Sequence, residues 1–146
     1  MHGATSTGAQ LSDTRLALIW PLDPDFSGAE LNGVSDSHLD LRSAGRLKGN
    51  YSGRSLAGLN LAGMDLRACQ LQRCDFSHAD LRGANLAGVD LSHSNFYQAL
   101  LEGADLSRST LYGAKLDVAL LTSITLLDTN FEMADLSSAD LQQADL

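Results

Sequence analysis

A chain of 146 residues has the length of a single domain. Its formal net charge of −8 argues against a nucleic-acid-binding protein, because such proteins usually carry a basic surface. Aromatic residues make up only 5% of the sequence, so the core must be built from smaller side chains, and no apolar run is long enough to span a bilayer.

The N-terminal part of the chain, residues 1–25, is expected to form a flexible segment followed by a cap. Residues 1–10 are rich in Gly, Ser, Thr and Ala, which is typical of a mobile terminus. Residues 16–20, LALIW, form a short apolar run that ends at Pro21, and we expect this run to cover one end of the fold. The run is too short for a secretory signal and no basic residue precedes Arg15, so the sequence predicts a cytoplasmic protein.

The next segment, residues 26–50, follows a five-residue spacing of apolar side chains only in part. Asp36 and Arg46 occupy two of the positions that should be buried, where an unpaired charge would be costly. Leu39 and Leu47 lie close by and could take their places through a local shift of register. We therefore expect an irregular first coil in this segment.

A large apolar residue then occupies every fifth position from Leu56 to Leu146 without interruption. Repeats of this kind are the sequence signature of stacked architectures. We therefore predict a regular repeat array over residues 51–146, and one repeat domain over residues 26–146.

A period of five fits neither a helix nor a flat strand. Positions five apart would lie about 140° apart around a helix and on opposite sides of a strand. Inside each unit, a small residue and the large apolar residue flank an Asp or Asn, as two inward positions flank an outward one on a strand. Two small or polar residues, the second often Gly, follow and allow a turn. Each unit thus predicts one short side and one corner of a stacked coil.

The units ADLRG at 79–83, ANLAG at 84–88, GADLS at 103–107 and SADLQ at 138–142 resemble the A(D/N)LXX motif of the pentapeptide repeat proteins. The resemblance implies an all-β fold, a right-handed quadrilateral β-helix with four units, or about 20 residues, in each coil. The large and the small apolar residues of each unit would face inward.

Both cysteines occupy the small inward position of their units. We therefore expect Cys69 and Cys74 to be buried and reduced, like small apolar residues. Two cysteines with this spacing do not form a zinc-binding pattern.

Several large apolar residues occupy outward positions in this register. Leu100 and Leu120 replace the usual Asp or Asn and take the same position in successive coils, so they should be neighbours on one face. The other outward apolar residues in these coils are Tyr97, Tyr112, Val118, Leu127 and Met133. Exposed apolar patches often mark interaction sites, and we predict a binding surface at these residues. A loop, a continuation of the chain or a neighbouring molecule could instead cover them.

The sequence shows no catalytic or cofactor-binding constellation. His78 and His93 fall in corner positions without a stacked carboxylate or second histidine, so no metal site is expected. Ser, Asp and His residues follow the repeat and do not gather into a nucleophile, a base and an orienting group. We predict a protein that is not an enzyme and needs no cofactor.

The favoured function is a scaffold that presents an elongated surface to a protein partner of unknown identity. The last coil would end on Leu146, an inward position, which also predicts a continuation of the array or association with a second copy, end to end or face to face. Such a scaffold would neither bind nucleic acid directly nor span a membrane.

Two other functions stay open. Residues 83–146 hold nine acidic and two basic residues, a net charge of −7, and spaced carboxylates can imitate DNA phosphates. Some proteins with this motif protect gyrase in that way, so the resemblance implies a DNA mimic that binds a topoisomerase, although residues 42–82 carry a net charge of +4. The third function is an interaction or targeting module of a larger secreted bacterial effector.

Overall fold

The computed structural model describes residues 46–146. Two strands, Arg46–Asn50 (β1) and Asp65–Gln70 (β2), pair in parallel. Beyond them, each five-residue unit contributes one bridging residue and a two-residue turn. The bridges are parallel and join equivalent residues of successive coils, as in Leu100 with Leu120. The predicted all-β fold, a right-handed quadrilateral β-helix, is confirmed.

Each coil has four faces and four corners, which we name from one coil. Face A is centred on Phe96, face B on Leu101, face C on Leu106 and face D on Leu111. Corner AB is formed by residues 97 and 98, corner BC by 102 and 103, corner CD by 107 and 108, and corner DA by 112 and 113. Residues in the same position of successive coils form columns along the rod.

The core is a ladder of apolar side chains inside the coils. Every large apolar residue of the five-residue series from Leu56 to Leu126 is buried, together with most of the small residues two positions earlier. The rings of Phe76 and Phe96 stack with centroids 4.9 Å apart and planes 8° apart. The inward positions of the repeat therefore supply almost the whole core, as the sequence pattern predicts.

The prediction of buried, reduced cysteines is confirmed. Cys69 and Cys74 are both buried free thiols. Cys74 Sγ donates a hydrogen bond to Tyr51 O at 3.0 Å. Burial raises the pKa of the Cys74 thiol to about 11, so this thiol stays protonated and unreactive near neutral pH.

The frame of five is shifted at the start of the described residues. The register of β1 against β2 changes between Arg46 and Lys48, and Leu47 lies in the core. Between these two pairs β2 has one residue more than β1, which is the geometry of a β-bulge. The expected flexible segment and cap at residues 1–25, and most of the irregular coil at residues 26–50, lie outside the described residues.

Two serines occupy the small inward position with different hydrogen bonding. Ser94 Oγ donates to Leu71 O at 2.9 Å and accepts from Cys74 N at 3.1 Å. Ser109 Oγ is buried and has no partner in the part of the chain that the structure describes.

These serines give a matched pair of stability predictions. Ser94→Ala should lower the free energy of unfolding by about 1–2 kcal/mol, because it removes a satisfied buried hydroxyl and leaves Cys74 N and Leu71 O with only their long mutual hydrogen bond of 3.4 Å. Ser109→Ala should leave that free energy unchanged or raise it by up to about 1 kcal/mol, because it removes an unsatisfied hydroxyl. Urea denaturation of both variants measures the difference, and equal losses would contradict this assignment.

Candidate functional site

The structure brings the two outward leucines together on face B. Leu100 and Leu120 form a backbone bridge in adjacent coils, within the column that runs from Asn60 to Asp140. Leu120 is 39% exposed, and Leu100 is half-buried. Two apolar side chains thus interrupt a column of polar ones.

Tyr97 and Val118 lie at corner AB, beside this pair. His78 N donates to Tyr97 O, and Val118 N donates to Ser137 O, which are corner-to-corner hydrogen bonds. Both side chains are exposed. We define the AB patch as Tyr97, Leu100, Val118 and Leu120, which share one corner and the adjoining face.

The remaining predicted residues lie elsewhere on the rod. Tyr112 and Met133 are exposed at corner DA, on the far side of face A. Leu127 is exposed at corner CD, diagonally opposite corner AB. The structure therefore divides the predicted surface into three groups, of which the AB patch is the largest. That these residues bind a partner stays a prediction.

The leucines of the AB patch replace side chains that stabilise the corners. On face B, the Oδ1 atoms of Asn60, Asp80 and Asp140 accept hydrogen bonds from the backbone N–H two residues later. Such local bonds support a turn, and each contributes about 0.5–1.5 kcal/mol. Leucine cannot accept a hydrogen bond, so the fold loses one of these contacts at Leu100 and another at Leu120.

Val118 adopts a backbone conformation that is unfavourable for its side chain. Its φ is +60°, in the left-handed region, where a β-branched residue is an outlier. The same column carries Gly58, His78, Gln98 and Ser138. Val118 is 42% exposed, so burial in the core does not compensate for the strain, which is on the order of 1–3 kcal/mol.

Carboxylates border the AB patch. Glu102 follows face B in the unit of Leu100, Asp117 precedes Val118, and Asp140 bridges Leu120 from the next coil. Glu102 Oε2 is shielded from solvent and has no hydrogen-bond partner within residues 46–146. The patch therefore has an apolar centre and an anionic border.

Arg82, at corner BC next to face B, is paired with a carboxylate. Arg82 donates from Nε and Nη2 to the two carboxylate oxygens of Asp80, at 2.9 Å and 2.7 Å. This hydrogen-bonded contact with Asp80 raises the pKa of Arg82. Arg82 is paired with Asp80, and the negative charge of Glu102 in the next coil raises its pKa further. The carboxylates Asp80, Glu102, Asp117 and Asp140 still outnumber the cations Arg82 and Lys115, so the border of the AB patch keeps a net negative charge.

The structure also contains two histidine–tyrosine contacts that the sequence analysis missed. The rings of His78 and Tyr97 meet edge to face with centroids 5.7 Å apart, and those of His93 and Tyr112 do so at 5.5 Å. In each pair, the histidine is the second residue of a corner and the tyrosine is the first residue of the same corner in the next coil. That spacing could have identified both pairs. The first contact packs His78 against Tyr97 at the edge of the AB patch.

Within residues 46–146, no group of three or more His, Cys, Asp or Glu side chains is placed to hold a metal ion. The same residues include no helix with the length and apolar character needed to cross a membrane.

Parallel bridges between successive coils and an inward apolar ladder define a β-helical solenoid of five-residue units. A family model for pentapeptide repeats matches residues 55–88, 84–122 and 119–146 with eight copies, and the chain therefore belongs to the pentapeptide repeat family. Members of this family are generally non-catalytic repeat proteins and often act in protein interaction. No curated protein sequence matches the chain significantly.

Solved structures of pentapeptide repeat proteins are similar to this chain. A protein from the thylakoid lumen of Arabidopsis thaliana is 31% identical over 68% of this chain and 61% of its own length, with a TM-score of 0.49. HetL from Nostoc sp. strain PCC 7120, which is involved in heterocyst differentiation regulation, is 30% identical over 100% of this chain and 61% of its own, with a TM-score of 0.48. QnrB1, a plasmid-mediated fluoroquinolone resistance protein, is 19% identical over 68% of this chain and 64% of its own, with a TM-score of 0.33. The chain spans less than two thirds of the length of each.

Proposed function

We propose that this protein is a non-catalytic scaffold that binds another protein, and that the AB patch is its binding site. The proposal rests on one observation: Leu100, Leu120 and Val118 occupy positions where polar residues or glycine would stabilise the fold better. Backbone strain and lost hydrogen bonds that the fold does not require are typical of sites that serve binding. An exposed apolar patch on the surface of a repeat protein also often marks an interaction site.

The test is a capture experiment with a variant that restores the common repeat residues. Leu100→Asn with Leu120→Asn removes the apolar centre, adds no charge, and supplies the missing corner hydrogen bonds, so the variant should fold at least as stably as wild type. The matched control is Thr110→Asn with Thr125→Asn, which introduces the same residue in the same outward position on faces D and C. Immobilised proteins are exposed to extract from the source cell.

We expect wild type and the control to capture the same protein. L100N/L120N should bind that protein at least about tenfold more weakly, a loss of about 1.4 kcal/mol of binding free energy. Equal capture by all three proteins would contradict the proposal. Absence of any captured protein from the wild-type sample would also contradict it.

Val118→Gly should separate stability from binding. Glycine adopts φ near +60° without strain, so the free energy of unfolding should rise by about 0.5–1 kcal/mol after the larger backbone entropy of unfolded glycine is subtracted. Capture of the same partner should fall, because an apolar side chain of the patch is lost. Thermal denaturation and the capture experiment measure both effects. Ser138→Gly in the same column is the control, and it should gain stability without loss of capture; a destabilised Val118→Gly would show that Val118 packs favourably.

A DNA mimic that binds a topoisomerase is the second candidate. The observation in its favour is the net charge of −7 on residues 83–146, much of it from Asp residues in outward positions. The basic residues in the preceding coils oppose it, because they would repel a DNA-binding surface. This function predicts inhibition of gyrase supercoiling by the purified protein, and no inhibition at about micromolar concentration would contradict it.

A further inference from the structure

We infer that the AB patch binds a short linear segment of a protein that carries apolar side chains flanked by Lys or Arg. This inference rests on the proposed function and adds the chemical class of the partner. It follows from the shape of the face, from the net negative charge around it and from the shielded carboxylate oxygen of Glu102.

The shape of face B favours a short segment over a folded surface. The column from Asn60 to Asp140 covers four coil spacings, about 19 Å, and one side of the coil, about three extended residues, is roughly 10 Å wide. Such an area is far below the roughly 800 Å² that each partner buries in a stable interface of two folded proteins. A second copy of this rod would meet the same limit, because two flat-sided rods in contact share one narrow face.

The border of the patch sets the charge of the segment. Glu102, Asp117 and Asp140 surround the apolar centre, and none of them forms an ion pair within residues 46–146. Two cations lie near these carboxylates: Lys115 lines the same cavity as Tyr97 and Asp117, and Arg82 occupies the corner position of Glu102 in the preceding coil. Asp80, Glu102, Asp117 and Asp140 still outnumber Arg82 and Lys115, so the border keeps a net negative charge. It would attract a cationic segment and repel an acidic one.

The Glu102 carboxylate is the position at which we expect a cation of the segment to bind. Its Oε2 atom is removed from solvent without a donor, and a buried charged oxygen without a partner is costly. A Lys or Arg side chain that reaches this carboxylate would form a charge-assisted hydrogen bond, one of the stronger contacts available at a protein surface. Leu100, in the same unit, would contact the adjoining apolar side chain of the segment.

The experiment selects binding segments from a library of random sequences. A phage library of random linear peptides is selected on wild-type protein after depletion on the folded L100N/L120N variant. The most enriched peptides are then synthesised with a fluorophore, and their affinity is measured by fluorescence polarisation at low and at physiological salt. Enriched peptides should combine apolar residues with Lys or Arg.

Two charge variants test the border directly. Glu102→Gln with Asp117→Asn and Asp140→Asn replaces the three carboxylates with neutral amides of nearly the same shape. We expect peptide affinity to fall at least tenfold at low salt and to depend less on salt concentration. Asp105→Asn with Asp128→Asn and Asp145→Asn removes the same charge around face C and corner CD, and affinity should change less than twofold. Circular dichroism checks that both variants are folded.

The outcomes separate this inference from the proposed function. Enriched peptides that need Leu100 and Leu120 but are neutral or acidic, or that ignore the border variant, would overturn the inference and leave the scaffold proposal standing. Failure to enrich any peptide would overturn the linear-segment inference, and the capture experiment would still decide the scaffold function. A dimer in sedimentation velocity that L100N/L120N abolishes would identify a second copy as the occupant and also overturn the inference.

Discussion

Phe96→Ala is expected to lower the free energy of unfolding by about 3–5 kcal/mol, one of the largest losses that a single substitution in this protein should produce. Phe96 is fully buried on face A, and its ring stacks on Phe76 at 4.9 Å. The backbone encloses the core on all four sides of the coil. Few side chains can therefore move into the space that the phenylalanine ring leaves. Urea denaturation followed by circular dichroism measures the loss.

The matched control is Phe96→Leu, because leucine is the natural occupant of this position in three other coils, at Leu56, Leu116 and Leu136. The loss should be about 1 kcal/mol, since most of the volume is retained. A double-mutant cycle with Phe76→Leu should give a coupling of about 0.5–1.5 kcal/mol for the ring stack. Equal losses for Phe96→Leu and Phe96→Ala would show that the cavity is not the main cost.

The core was predictable from sequence because a five-residue unit assigns each position to the inside or the outside of the coil. Leu101 and Ala99, for example, are both fully buried, as their positions in the unit require. Cys69 and Cys74 follow the same rule, and their position explains why they are free thiols. In this fold, the position in the unit determines which side chains face inward, and the adjacent coils, about 20 residues away along the chain, complete their burial.

The candidate site was predictable only in part. The outward position identifies Leu100 and Leu120 as neighbours, but grouping the other apolar residues by coil ignores the direction in which each corner points. Leu127 follows Leu120 closely along the chain, yet it projects from corner CD, away from the AB patch. Residues of the same coil can project from any of its four faces. Only residues on the same face or at an adjoining corner can contact one partner together.

The strain at Val118 could not be obtained from the repeat pattern alone. The second corner residue has a positive φ in Gly103 and also in Val118, so the turn imposes its conformation on whichever residue is present. Sequence periodicity marks the position as a corner, but the sign of φ comes from the hydrogen bonds that hold successive corners together. One of these is the bond from Val118 N to Ser137 O. The column of corner hydrogen bonds therefore holds Val118 in a conformation that is unfavourable for valine.

A second large loss is expected for Leu101→Ala, about 2–5 kcal/mol in the free energy of unfolding. Leu101 is fully buried in the column of face B, with Leu81 and Leu121 in the coils on either side. Truncation would open a cavity that is closed above and below. Stability of a solenoid is roughly a sum of contacts between adjacent coils, so a central position affects two interfaces at once. Thermal and urea denaturation both report the loss.

Leu141→Ala is the matched control, in the same column and with the same change. Leu141 is only partly buried, and within the described residues Leu121 is its neighbour in a single adjacent coil. Its truncation should therefore cost about 1 kcal/mol or less, since one interface is affected and water already reaches the side chain. A loss as large as that of Leu101→Ala would mean that another molecule covers the last coil in solution. If that molecule is a second copy stacked end to end, the loss must grow with protein concentration, because mass action then adds the association free energy to the stability of the wild type.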